Sequence, residues 1–144
     1  MARGKVSAWP ALLTARALIV DAVEARLAKA GLPELGWYDV LWALERAPAA
    51  RRRMHELAAQ TVITRSNLTR LVDRLEAAGL VVRARDAEDR RGAFAVLTPA
   101  GRQLRGRMWK VYGPAIEELF DRHLTPAEAA AIRTCLLRII EAAR

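Results

Sequence analysis

The densest run of chemically capable side chains lies between residues 64 and 74. Thr64, Arg65, Ser66, Asn67, Thr69, Arg70 and Arg74 fall there, interleaved with Leu68, Leu71 and Val72. Spacings of three and four put the apolar set, with Leu75, on one face of a helix and the polar set on the other. Hydroxyls, a carboxamide and guanidinium groups can donate to and accept from base edges and phosphates. A second basic group follows. Arg90 and Arg91 sit side by side in the polar stretch 86–92, and Arg51, Arg52, Arg53, Arg83 and Arg85 flank the same region. Taken singly, each has a plainer reading: solvated helix charges, a polar hairpin tip, a solvated linker. Their order within one basic segment is what points to a polyanion.

The charge distribution agrees. Residues 51–110 hold 14 Lys and Arg against 6 Asp and Glu, and the rest of the chain carries 10 of each. The whole excess of +8 is therefore concentrated in the middle. A uniformly basic coat for solubility would spread it; a localised polyanion-binding unit would not. Catalytic settings are missing: the sequence has no HExxH, Gly-rich phosphate loop, GxSxG or Cys/His nucleophile pattern. Its one cysteine, Cys135, excludes an internal disulfide framework. Flanked by Leu136 and Leu137, it reads as a buried, unreactive thiol. His55 and His123 stand far apart with no ligand cluster, so neither a metal nor a cofactor is expected. With 144 residues, 53% hydrophobic, the chain can build a core of its own. It has neither a bilayer-length apolar run nor a signal-peptide pattern, so a cytoplasmic protein with no membrane partner is expected.

These side chains need elements to hold them. Apolar periodicity predicts helices over 9–30, 37–46, 54–60 and 65–78. Thr64 is the expected N-cap of the last, with Ile63 and Leu68 at staple positions, Gly79 as its left-handed terminator and Leu80 folding back on Leu75. Arg51, Arg52 and Arg53 read as a lead-in to the helix at 54. The period then changes to that of strands at 80–85 and 93–97. Thr98-Pro99 opens a fifth helix, expected to kink at Gly113-Pro114. Thr125 to Glu128 is a capping-box sequence for a sixth, ending near 143. Two short helices joined by a tight turn and followed by a hairpin make a winged helix-turn-helix. The fold class is mainly α with a small β-hairpin wing.

At this level the sequence resembles the multiple-antibiotic-resistance regulator (MarR) family of bacterial transcription factors. The likeness rests on MHELA at 54–58, TRSNLTRLVDRLEAAGLV at 64–81, DAEDRR at 86–91 and LTPAG at 97–101. It implies a homodimer joined by N- and C-terminal helices and a pseudo-palindromic operator on double-stranded DNA, usually held for repression. By position it implies that Ser66, Asn67, Thr69 and Arg70 face the major groove. Arg91 would enter the minor groove, and Asp89 would hold the wing. Thr64, Arg65, Arg74, Arg53 and Arg90 complete the expected contact set. On this reading 1–144 is one protomer, 37–98 its DNA-binding region, and 8–31 with 99–143 its dimerisation helices. The terminal helices have apolar stripes, and the residues outside 51–110 carry no net charge, which suits a subunit seam; the stripes could equally pack within one chain. The resemblance also implies a small-molecule effector such as an aromatic acid. Trp9, Arg16, Trp37, Tyr38, Asp39 and Trp42 are its candidate cleft, though ordinary packing explains tryptophans at helical positions as well. An architectural, non-specific nucleic-acid-binding protein is the alternative.

Overall fold

The computed structural model describes residues 7–88 and 92–144. Its helices are α1 (Trp9–Lys29), α2 (Leu35–Glu45), α3 (Met54–Gln60), α4 (Arg65–Ala77), α5 (Pro99–Leu119) and α6 (Pro126–Ala143). Three strands, β1 (Arg51–Arg53), β2 (Val81–Arg85) and β3 (Ala93–Leu97), form one antiparallel sheet in the order β1-β3-β2. The chain divides into two compact units. One holds residues 27–111, and the other holds the two terminal stretches, up to 26 and from 112.

The winged unit is built on α2. Val40, Leu41, Ala43 and Leu44 are fully buried, and α2 packs against α3, α4, β1 and β3. Leu57 of α3 and the Leu68, Leu71, Val72, Leu75 stripe of α4 complete the helical part of this core. Each such side chain contributes roughly 1.5–3 kcal/mol by leaving water. The stripe fixes which face of α4 turns outward.

The ends of α4 are set locally. The Thr64 hydroxyl accepts from the Asn67 N–H at 3.4 Å. At the other end Gly79 takes φ +75°, its N–H donates to Glu76 O (3.0 Å), and the Leu80 N–H donates to Leu75 O (2.9 Å). This is the paired Schellman ending that the sequence predicts. It turns the chain directly into β2, which pairs with β3 from Val81↔Leu97 to Arg85↔Ala93.

One expectation is overturned here. Arg51–Arg53 is not a lead-in but a third strand, paired with β3 in the register Arg51↔Val96, Arg52↔Ala95, Arg53↔Phe94. Arginine has little intrinsic strand preference, but long-range partners outweigh it. The Arg51 guanidinium lies 3.9 Å from the Phe94 ring centroid, and that of Arg53 lies 5.4 Å from it. The turn before the strand is tight: Ala49 and Ala50 both take left-handed backbone, φ 56° and 52°.

In the terminal unit Arg26 pairs with Glu118 at 2.9 Å. The helix α5 continues through Gly113 and Pro114. The capping box of α6 is complete: Thr125 Oγ1 accepts from the Glu128 N–H (3.2 Å) and Glu128 Oε1 accepts from the Thr125 N–H (2.9 Å). No residue of α6 is buried within the single chain. Cys135, expected to be enclosed among leucines, is exposed. Its neighbours in sequence fall around the helix and do not close over it. No described helix is long and apolar enough to cross a membrane.

Candidate nucleic-acid interface

The outward face of α4 carries Arg65, Ser66, Asn67, Thr69, Arg70 and Arg74, all exposed. Thr64 and Ser66 hydroxyls approach to 3.5 Å beside the first turn. The Thr69 hydroxyl donates to Arg65 O at 3.1 Å, which leaves its oxygen lone pairs pointing outward as acceptors. Arg70 and Asn67 share a hollow of about 320 Å³ with Arg74, Glu34 and Ile63. Arg74 meets Glu34 at 3.4 Å, an exposed pair of the kind that contributes about 0–1 kcal/mol. The sequence-predicted residues of this helix therefore share one solvent face. It is rich in donors and acceptors and positively charged at three positions.

Arg53 takes a different place. Its Nε donates to Asp86 Oδ2 at 2.7 Å, and Asp86 is 5% exposed. Asp86 Oδ1 accepts from the Glu88 N–H (3.0 Å), and the Asp86 N–H donates to Gly92 O (3.3 Å). So the Asp86 carboxylate holds β1 to the base of the wing, and its backbone closes the start of the wing loop. Sequence reasoning missed Asp86. An aspartate directly after a strand is a turn signal, but its arginine partner stands 33 positions earlier. Asp89, Arg90 and Arg91 lie outside the described residues. Arg83 meets Asp73 at 2.7 Å and Glu76 at 3.1 Å.

The candidate effector residues fall in both units. Trp9 and Arg16 are exposed in the terminal unit, Trp9 at 63%. In the winged unit Tyr38 is buried and its ring stacks against Trp109, with centroids 6.0 Å apart. Burial raises the Tyr38 phenol above its ordinary pKa, against the lowering effect of Arg105. Trp37 and Asp39 are half-buried, and Trp42 has the Arg105 guanidinium 5.3 Å from its ring. Arg105 in turn pairs with Glu45 at 2.9 Å. Arg105, Glu45 and Trp109 were not legible as a group. The i, i+4 spacing of Arg105 and Trp109 was visible, but nothing local ties them to α2. Among the described residues no group of His, Cys, Asp and Glu is placed to hold a metal ion.

The model of the MarR family matches residues 30–92, the span of α2 to the wing. AbsC, a MarR family transcriptional regulator from Streptomyces coelicolor, is 29% identical. It superposes with a TM-score of 0.89 over 100% of this chain and 97% of its own. Sco3205, another such regulator from the same organism, solved in complex with DNA, is 28% identical with a TM-score of 0.90, over 99% and 92%. The HTH-type transcriptional regulator FarR of Neisseria gonorrhoeae is 34% identical over 85 residues, 58% of this chain and 56% of that protein. The chain spans about half the length of the curated relatives it matches. Fold, motif placement and these likenesses agree: residues 30–92 match the MarR family, and the chain is similar over its length to winged helix-turn-helix transcription regulators of that family.

Proposed function

We propose that this chain is a sequence-specific DNA-binding regulator that acts as a homodimeric repressor and leaves its operator when a small ligand binds. The carrying observation is the outward face of α4. Ser66, Asn67, Thr69 and Arg70 are exposed opposite a fully buried stripe. A helix presented this way fits the major groove, with Arg65 and Arg74 at its flanks and Arg90 and Arg91 contributed by the wing. Sco3205, 28% identical, was solved with DNA, which supports the same use here.

Support for a homodimer comes from the terminal unit. A helix of 18 residues with no buried side chain has little in its own chain to hold it. Leu137, Ile139 and Ile140 on α6 and Leu12, Leu13 and Leu18 on α1 are 40–66% exposed. Phe120, Ile132, Leu136 and Leu137 line an apolar hollow of about 360 Å³ in the same unit. A second copy supplies what such faces lack. The effector reading takes a small aromatic carboxylate, for which the α2 aromatics Trp37, Tyr38 and Trp42 and the nearby Arg105 are suitable chemistry.

The test is fluorescence anisotropy with DNA from upstream of the chain's own gene, over a salt series, against scrambled duplex of equal length. The expected result is tight binding that resists the scrambled competitor and weakens steeply with salt. Equal competition by scrambled DNA would replace specific readout at that site with an architectural role.

A further inference from the structure

Arg83 lies in the middle of β2, an edge strand of the sheet, opposite Ala95 of β3. By charge alone it belongs with the phosphate-binding arginines. Its surroundings say otherwise. Its two terminal guanidinium nitrogens meet Asp73 Oδ1 at 2.7 Å and Glu76 Oε1 at 3.1 Å. The first of these also donates to Thr69 O at 3.4 Å. The Arg83 backbone N–H donates to Glu76 Oε2 at 3.0 Å, so one glutamate binds both the strand and its side chain. The Arg83 side chain is only 26% exposed. All three partners belong to α4, the helix that carries the reading face, and Thr69 is itself on that face.

We infer that Arg83 is a positioning residue: a fork that fixes the wing hairpin to α4, and so sets where the wing reaches when α4 is seated in the groove. The inference rests on the DNA-binding reading above. Three features carry it. One cation against two carboxylates leaves the trio at −1, which disfavours a phosphate. The guanidinium's planar fork spans two acids at once, which a point charge cannot do. The backbone bond to Glu76 also occupies an edge-strand donor, tying the strand itself to the helix and not only its side chain.

The experiment uses the full chain and a duplex that the wild-type protein selects from a random pool, with scrambled duplex as reference. Three variants are compared: Arg83→Gln, Arg83→Lys, and Asp73→Asn combined with Glu76→Gln. Far-UV circular dichroism and thermal unfolding confirm that each is folded. The acid-side variant leaves β2 unaltered, so the test survives if an Arg83 substitution fails to fold. If Arg83 positions the wing, all three variants lose affinity for the selected duplex by about tenfold. The lysine does not rescue, and the acid-side variant loses binding although it gains positive charge. Affinity for scrambled DNA falls much less, and the salt slope on the selected duplex is unchanged. Hydrogen exchange at 81–85 and 93–97 quickens in all three without DNA.

The proposal is overturned if Arg83→Gln weakens both duplexes alike and lowers the salt slope by about one, the mark of a phosphate contact. It is equally overturned if the lysine restores binding or the acid-side variant binds more tightly. A wild-type chain that selects no duplex overturns the DNA-binding reading itself, whatever the exchange data show.

Discussion

Asp86 is the one charged residue buried among those described. A carboxylate in that position is tolerated only because its oxygens are taken, one by Arg53 at 2.7 Å and one by the Glu88 N–H at 3.0 Å. Arg53 is about a third exposed, so water screens the pair from outside and the upper range for buried ion pairs does not apply. We expect Asp86→Ala to destabilise the chain by roughly 1–3 kcal/mol, read as a lowered urea midpoint. An unshifted midpoint would show that β1 is held by the Phe94 ring and its strand pairing alone. The same geometry revises what Arg53 does. Charge and position assign it to DNA; its Nε is committed to the base of the wing.

At the scale of elements, what could be read from sequence follows the distance over which each cause acts. α4 was legible from Thr64 to Leu80 because its cap, its stripe and its glycine all act within one or two turns. The hairpin strands were legible for the same reason. β1 was not, because three consecutive arginines give no strand signal and their partners, Phe94, Ala95 and Val96, lie beyond two further helices. On the candidate site, the reading face of α4 was legible, but the ion pairs that decide which arginines are free were not. Arg53, Arg83 and Arg105 all look alike in sequence. The start of α6 gives a prediction at this scale. Hydrogen bonds from the Thr125 backbone and hydroxyl hold the Glu128 carboxyl below its ordinary pKa. A depressed carboxyl contributes stability above its unfolded pKa, about 4.3, and loses it as pH falls through the lower folded value. Acidification from about pH 6 to about pH 3 should therefore weaken this cap in the native chain, and Glu128→Gln should remove that component of the pH dependence. Thermal melts at both pH values decide it: equal pH sensitivity in the variant would assign the acid loss to other carboxylates.

For the molecule as a whole, the basic excess and the exposed apolar helices lie in different parts of the chain, which on the proposed reading separates holding DNA from holding a partner. Replacing Ile139 and Ile140 together by Asp should convert the proposed dimer to monomers, because each would place a charge on its apolar seam. Light scattering at matched concentration checks this; an intact dimer would move the seam off α6. The motif at 97–101 looks from outside like part of the reading apparatus, since it follows the wing. The structure gives its last residue another meaning. A Cβ on Gly101 would collide with the Leu80 carbonyl and come within 2.7 Å of Leu97 Cδ1. Gly101 sits in the first turn of α5, where a glycine's backbone freedom is of no use, so what the position requires is emptiness. Intolerance to mutation there would record the volume left between two chain segments. It would carry no information about any base pair, although it would look the same as intolerance at a residue that touches one.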